Sequence, residues 1–347
     1  MGKIGVLTSG GDAPGMNSAV RAVVKTAIAL GHEVEGFEDG YEGLLDGRSH
    51  PLDLPSVDPI GPRGGTVLGT ARSKRFRDPE GRAQAARHLK GLTGLVVIGG
   101  NGSLMGAHLL AREQGVRVVG MPASIDNDIG CTAFCIGVDT ALNTIVEACD
   151  RIADTATSHR RAFIIEVMGR DCGYLAMASG SAVGADAVLV PEQRRGEEEV
   201  VSRVVEVIER VTHPSRNKRR VIIVKAEGVA IPCTRLARQV GERVPHVTVR
   251  GTVLGHVVRG GSPSYQDRAL ASRLGWGATH ALCHGATDSM VAWNSTYPGG
   301  TPTRDSRVRL FELDEVLKET ERLIDGTSEV TRRRMRLIEE GEGTYAL

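Results

Sequence analysis

The sequence predicts an α/β protein with mainly parallel sheets carrying helices on both faces. Short apolar runs alternate with stretches of helical period along much of the chain, the pattern of parallel strands joined by crossover helices. The length, 347 residues, suggests two domains, or else one large α/β domain. Glycine is abundant, with 44 residues, and much of it falls in short clusters directly after apolar runs, where backbone can approach a ligand closely.

Taken in order, Lys3–Thr8 reads as a first strand, and Ser9-Gly10-Gly11-Asp12-Ala13-Pro14-Gly15 as a loop. Met16–Leu30 has small and apolar residues at helical spacing, with Gly31 as the stop. Glu33–Phe37 is a second strand, and residues 39–78 are irregular and rich in Gly, Pro and Arg. A stretch of that length without periodicity is usually either functional or mobile. A helix near 80–90, a strand over Leu95–Ile98, a helix over 102–114 and a buried strand over 116–121 follow. Residues 139–156 form one amphipathic helix. Ala162–Val167, a helix from Cys172, and Ala187–Val190 continue the alternation. The charged helix at 197–211 opens with Glu197-Glu198-Glu199, acids that suit its N-terminal dipole, and Arg220–Val224 is a clean strand. The basic run 216–220 reads as a solvated turn, and 312–340 as two charge-laced helices covering a sheet edge.

Composition narrows the function. A formal net charge of +1 provides no global field for nucleic acid or an anionic membrane, and an aromatic content of 3% argues against base-stacking surfaces. The six cysteines form no CxxC pair, and no histidine pair sits at zinc spacing. They read as reduced packing thiols of a cytoplasmic protein. No run has the roughly 18–20 apolar residues that cross a bilayer, and the early Gly-rich turn leaves no room for a signal peptide.

Two strand-to-helix loops carry adjacent glycines, Gly10-Gly11-Asp12 and Gly99-Gly100-Asn101-Gly102-Ser103. Such loops can aim N–H groups at a phosphate, or simply allow tight helix–strand packing. Neither is the GxGxxG fingerprint nor a Walker loop. Arg63, Arg72, Lys74, Arg75 and Arg77 cluster in the irregular stretch, as phosphate ligands or as a solvated basic loop. Asp126 and Asp128 follow a buried strand, where open parallel sheets place their ligands. Further arginines and acids stand near strand ends: Arg161, Met168-Gly169-Arg170, Glu227, Arg250, and His256 with Arg259. The set suits a small, multiply anionic ligand. Phosphoryl transfer needs positioning, charge neutralisation and one carboxylate base, which these residues could supply. Dehydrogenase and hydrolase readings lack their motifs.

These segments resemble the 6-phosphofructokinase family, over residues 3 to about 275. The resemblance rests on Gly10-Gly11-Asp12-Ala13-Pro14-Gly15-Met16-Asn17, Gly64-Gly65-Thr66, Gly69-Thr70-Ala71-Arg72, Phe76-Arg77-Asp78 and Gly99-Gly100. It continues through Ser124-Ile125-Asp126-Asn127-Asp128, Ser158-His159, Glu166-Val167-Met168-Gly169-Arg170, Val253-Leu254-Gly255-His256 and Arg259-Gly260-Gly261-Ser262-Pro263. It implies two similar three-layer α/β/α domains with the active site in their cleft, residues 1–138 plus 254–305 for the donor and 139–253 plus 306–347 for the sugar phosphate. It also implies transfer of the γ-phosphoryl group of ATP to the 1-hydroxyl of fructose 6-phosphate with Mg2+, by a homotetramer or homodimer with shared sites.

In that resemblance Asp126 is the base, and Ser124 replaces a common threonine. Gly11 and Arg72 face the transferred phosphate, and Arg170 the transition state. Gly10, Tyr41, Arg77, Asn101, Gly102, Ser103 and Gly106 border the nucleotide. Asp128, Arg161, Met168, Gly169, Glu227, Arg250, His256 and Arg259 hold the sugar phosphate, with Arg161 and Arg250 reaching in from a neighbouring subunit. Asn101 and Asp128 stand on the metal side. Pyrophosphate-using relatives carry an acid at the position of Gly102 and a lysine at that of Ala123, so two small residues here favour ATP. Asn101 replaces the family's usual aspartate, which leaves open a weakly active sugar-phosphate-binding regulatory paralogue. Effector-binding arginines of regulated members fall on Leu54 and Ala153, while Arg21 remains and Asp186 stands near an effector-side acid. The resemblance therefore implies a weak response to nucleotide and phosphoenolpyruvate effectors.

Overall fold

A computed structural model describes residues 2–216 and 218–344. In chain order it begins with β1 (Lys3–Ser9), α1 (Met16–Ala29), β2 (Glu33–Phe37), α2 (Gly40–Asp46), β3 (Ser49–Leu52), α3 (Leu54–Val57), α4 (Pro79–His88), β4 (Leu92–Gly99), α5 (Asn101–Gln114) and β5 (Val118–Pro122). Next come α6 (Val138–His159), β6 (Ala162–Val167), α7 (Tyr174–Ala182), β7 (Ala187–Leu189), α8 (Glu197–Thr212), β8 (Val221–Ala226), α9 (Cys233–Arg243) and β9 (Val249–Val253). The chain ends with α10 (Tyr265–Cys283), β10 (Ser289–Trp293), β11 (Thr301–Pro302), β12 (Val308–Glu312), α11 (Leu313–Asp325) and α12 (Glu329–Thr344).

The chain divides into two compact units. The first comprises Met1–Ile125, Ile129–Thr140 and Arg259–Glu321, and the second Asp126–Asp128, Ala141–Val258 and Arg322–Leu347. Met1, Asn217 and residues 345–347 lie outside the described residues. The last segment of the first unit runs past the expected end at 305, because β12 pairs antiparallel with β10, itself parallel to β5.

The first unit holds an eight-stranded sheet in the order β11-β12-β10-β5-β4-β1-β2-β3. Its central strands are parallel and its margins antiparallel. Leu95, Val96, Val97 and Ile98 of β4 are fully buried, the continuous apolar run of a strand covered on both faces. Each such side chain contributes about 1.5–3 kcal/mol against exposure. Helix α1 buries Met16, Ala19, Val20, Val23, Val24 and Ala27, a stripe at helical spacing, and packs against α10. That approach needs Gly275, where an added Cβ would come within 2.6 Å of the Ala22 Cβ.

The second unit holds a four-stranded, all-parallel sheet in the order β7-β8-β6-β9. All six residues of β8 are buried, including Lys225. Its ammonium donates to Glu166 Oε2 at 2.7 Å, on the neighbouring strand, and to the Ala226 carbonyl at 3.0 Å. Losing either charged partner would strand a buried ion at a cost of about 3–5 kcal/mol. Helix α12 packs along β7 and α7, so it covers an edge strand.

The irregular stretch contains more order than its sequence suggests. Helix α2 begins after Asp39 in the left-handed conformation, φ 50°, and α3 is capped by Asp53, which accepts from Ser56 N at 2.9 Å. These pieces are too short to show periodicity. Within the basic run, Lys218 pairs with the buried Asp186, while Asn217 lies outside the described residues. No described helix is long and apolar enough to cross a membrane.

Candidate active site

In the eight-stranded sheet, β1 leads through α1 to β2 on one side, and β4 leads through α5 to β5 on the other. The carboxyl ends of these adjacent strands therefore form a topological switch point, where open α/β sheets receive ligands. Both Gly-rich loops open there. Gly10 adopts φ 89°, a conformation that favours glycine. Gly99 serves packing, since a Cβ there would lie 2.4 Å from the Ser9 carbonyl oxygen. Gly102 is different. It is exposed in the first turn of α5, and an added Cβ meets nothing within 4 Å. The loop thus combines a packing glycine with one that leaves open space beside a helix N-terminus.

The arginine-bearing stretch is strapped to this switch point. Asn17 donates to the carbonyls of Arg63 and Gly64 at 3.1 and 3.2 Å and accepts from Val67 N at 2.7 Å. Thr8 donates to the Gly69 carbonyl at 2.8 Å, and Thr70 to the Gly10 carbonyl at 2.7 Å. Arg72 stands exposed two residues beyond that last anchor. Arg77 is exposed beyond Phe76, which stacks on Tyr41 with ring centroids 3.9 Å apart.

Tyr41, Ser103 and Gly106 form an inner layer. Tyr41 is 5% exposed, and its hydroxyl donates to the Ser103 carbonyl at 2.6 Å. Burial holds its phenol far above the usual tyrosine range. Gly106 makes room for this pair, since a Cβ there would be 2.9 Å from Tyr41. The hydroxyl of Tyr41 is therefore spent on holding α5 and does not face a ligand. Arg259 also departs from expectation. Its Nη1 donates to the Asp12 carbonyl at 3.2 Å and would lie 2.9 Å from a Cβ on Gly11, so it covers the first Gly-rich loop. His256, expected in the same ligand set, belongs to the second unit and is exposed.

Ser124 is half-buried at the end of the first unit's segment, and Ala123 is 1% exposed. Asp126, Asn127 and Asp128 pack with the second unit and are 3%, 3% and 8% exposed. Arg170 Nε lies 3.5 Å from Asp126 Oδ2, with its side chain 53% exposed. In this unit β6 and β8 form the switch point, for their crossovers leave toward β7 and β9 in opposite directions. Glu227, just past β8, accepts from Arg170 N at 2.8 Å and Gly169 N at 3.2 Å. Arg170 adopts φ 50° and Gly169 φ 143°. Met168 beside them is buried. The turn is thus a shaped support that presents one guanidinium to one carboxylate.

Arg161 and Arg250 stand at the opposite, amino end of the same sheet, before β6 and near the start of β9. The length of β6 separates Arg161 from Arg170 by roughly 20 Å. Arg161 instead lines a basic cavity of about 320 Å³ with Arg160, Arg219, Arg220 and His246. Arg250 pairs with Phe163 near the start of β6, so both arginines stand at the end of the sheet away from Arg170. Among the described residues no three His, Cys, Asp or Glu side chains gather into a metal cluster. Asn101 is half-buried in the first unit and Asp128 belongs to the second.

The phosphofructokinase family profile matches residues 3–282 of this chain. The chain belongs to the phosphofructokinase family. The ATP-dependent 6-phosphofructokinase of Thermotoga neapolitana is 48% identical over 326 residues, 93% of this chain and 100% of that one. The enzyme of the same name from Thermotoga petrophila is 51% identical over 294 residues, 84% and 90% of the two chains. The phosphofructokinase of Pichia pastoris, solved in the T-state, superposes with a TM-score of 0.89 at 32% identity over 99% of this chain, which spans 39% of that longer chain.

Every site residue named above falls inside the phosphofructokinase match, whereas β10 to α12 lie beyond it. Asn17 and Thr70 sit inside family segments, but only the geometry shows that they strap the arginine stretch. Leu54 and Ala153, where regulated phosphofructokinases carry arginines, are 39% and 7% exposed. The remaining charges have local partners. Arg21 reaches Asp58 at 3.3 Å, and Asp186 accepts from Ile222 N at 2.9 Å besides pairing with Lys218.

Proposed function

We propose that this chain is an ATP-dependent 6-phosphofructokinase that phosphorylates the 1-hydroxyl of fructose 6-phosphate in glycolysis, in the cytoplasm. The observation that carries the reading is the buried carboxylate of Asp126, at a strand's carboxyl end, 3.5 Å from the Arg170 guanidinium. Asp126 accepts the hydroxyl proton as the sugar oxygen bonds to the γ-phosphorus, and the bond to the β,γ-bridging oxygen breaks to release ADP. Arg170 faces the charge that builds on the transferred group, together with Arg72 and the Gly11 N–H. Gly10, Asn101, Gly102, Ser103 and Arg77 border the nucleotide, with Tyr41 and Gly106 holding α5 behind them. Met168, Gly169, Glu227, His256 and Arg259 serve the sugar phosphate. Arg259 must leave Asp12 to do so. In this reading the first unit binds the donor, and most of the acceptor's ligands belong to the second.

Magnesium fits the donor set. It takes one or two carboxylates plus substrate phosphates rather than a protein cage, and Asp128 with the Asn101 amide oxygen would hold it alongside ATP. When bound, it neutralises phosphate charge. The roughly 20 Å between Arg161 and Arg170 supports a homotetramer or homodimer in which a neighbour supplies Arg161 and Arg250. The open space at Gly102 favours ATP over pyrophosphate. Asn101 keeps one second reading in play, a regulatory paralogue of low turnover.

One coupled assay for fructose 1,6-bisphosphate, run with ATP and then pyrophosphate, tests the readings together. Turnover with ATP is expected. Turnover with pyrophosphate alone, or with neither, refutes the proposal. Asp126→Asn should lower kcat by about 10²–10⁴-fold with the KM for fructose 6-phosphate nearly unchanged, and persistence of activity would dismiss Asp126 as the base.

A further inference from the structure

The C-terminal helix α12 lies beyond the family match, and none of the roles above uses it. One of its arginines reaches back to the turn that carries Arg170. The Arg334 guanidinium sits 4.6 Å over the Tyr174 ring, and its Nη1 donates to the Cys172 sulfur at 3.6 Å. The Glu192 carboxylate also feels this charge: burial pushes its carboxyl upward, while Gly173 N and Arg334 pull it down. Glu192 Oε1 accepts from Gly173 N at 2.8 Å. Gly173 is wedged, for a Cβ there would lie 2.4 Å from Val190.

The turn therefore has two supports. On the Arg170 side, Glu227 takes the N–H groups of Gly169 and Arg170, and a Cβ on Gly228 would lie 2.0 Å from the Arg170 carbonyl oxygen. On the far side, Cys172 N donates to the Gly169 carbonyl at 2.9 Å, and residues 172–174 rest on Glu192 and Arg334. Arg170 lies between them in a left-handed conformation, φ 50°, that a lone residue seldom keeps unaided. We propose that Arg334 is a positioning residue: through Cys172 and Tyr174 it holds the turn that aims Arg170 at Asp126. The C-terminal helix would thus tune the transfer step without touching substrate. This rests on the phosphofructokinase reading above.

The test compares wild type, Arg334→Ala and Arg334→Lys in the coupled assay, and maps labelling of native thiols by N-ethylmaleimide with peptide mass spectrometry. Arg334→Ala is expected to lower kcat about tenfold, as a displaced catalytic group does, with the KM for ATP within about twofold. Arg334→Lys should recover most of that loss, since it keeps a cation over the ring. In Arg334→Ala, Cys172 should label about tenfold faster as its cover opens, while Cys131, Cys149 and Cys233 stay protected. Unchanged kcat with unchanged Cys172 labelling overturns the proposal, as does lost thermal stability with kcat per folded enzyme intact. If Arg334→Ala fails to fold, every buried cysteine will label, and Tyr174→Leu, which removes the ring under the guanidinium, decides: it must lower kcat selectively while Arg334→Lys stays near wild type. If wild type shows no activity on fructose 6-phosphate, the functional reading fails, and the Cys172 labelling still judges the contact itself.

Discussion

Gly102→Asp is expected to move stability and activity in opposite directions. Gly102 is the second residue of α5, exposed, with no atom within 4 Å of an added Cβ. The folded chain can therefore accept the side chain. An acid in the first turn of a helix gains about 0.3–1 kcal/mol from the dipole, and replacing glycine adds a few tenths more. The melting temperature should rise by about 1–4 °C. The donor meets the opposite effect. A carboxylate about 4 Å from one phosphate charge costs about 4 kcal/mol at an effective dielectric constant near 20, which salt reduces at an exposed site. The kcat/KM for ATP should fall about 10²–10³-fold, at 1.36 kcal/mol per decade. Differential scanning fluorimetry and steady-state kinetics at matched ionic strength measure both. Retention of ATP kcat/KM within threefold would remove Gly102 from the donor argument. A melting temperature several degrees lower would show that the space beside it is not open.

Gly169→Ala should destabilise the chain by about 1–3 kcal/mol and disable Arg170. Gly169 has φ 143°, and an added Cβ would lie 2.4 Å from the Cys172 carbonyl oxygen. A urea midpoint equal to wild type would contradict this. Asp267→Ala should cost about 3–5 kcal/mol, because it leaves three buried donors unmatched: Gly137 N and Thr140 N, both at 2.8 Å, and Thr140 Oγ at 2.5 Å. Equilibrium unfolding gives the figure, and a loss under 1 kcal/mol is incompatible with those bonds being intact. Burial pushes the thiols of Cys131 and Cys172 up to about 12, and those of Cys149 and Cys233 up to about 11, from 9.0. The unfolded chain loses these protons first. Their contribution is therefore complete below pH 9 and declines as pH rises through 11–12. These four should resist Ellman's reagent in the native protein at pH 8, and rapid reaction of any one would refute its burial.

Much of this organisation could be read from residue order, and the reasons differ by region. Strands β2 and β6 match the expected Glu33–Phe37 and Ala162–Val167, and α1 ends one residue before the expected Leu30, because apolar runs between glycines leave few alternatives. Helices α2 and α3 were hidden because 7 and 4 residues are too few to show a helical period, and strand β3, Ser49–Leu52, because it has no apolar run. The Gly-rich loops were legible as a pair. Which glycine serves packing and which leaves space was not, because that depends on atoms distant in the chain, such as the Ser9 carbonyl oxygen facing Gly99. Arg259 could not be placed on Asp12 for the same reason: 247 residues separate the partners. The support from Arg334 was equally invisible, since nothing near it in sequence marks Cys172 as its contact.

The buried pair of Lys225 and Glu166 has a consequence for how the second sheet finds its alignment. Strand β8 is apolar at every position but this one, and all six residues are buried. The usual guide, apolar residues on one face and polar on the other, is missing. Hydrophobic burial would change little if β8 slid along β6. Charge would not tolerate the slide. Only in the native alignment does Lys225 face Glu166, and a slip sets it opposite Ile164, Ile165 or Val167. An ammonium ion sealed against those side chains costs several kcal/mol. One lysine thus acts as a proofreading device for the whole sheet, rejecting misaligned pairings that greasy side chains alone would accept.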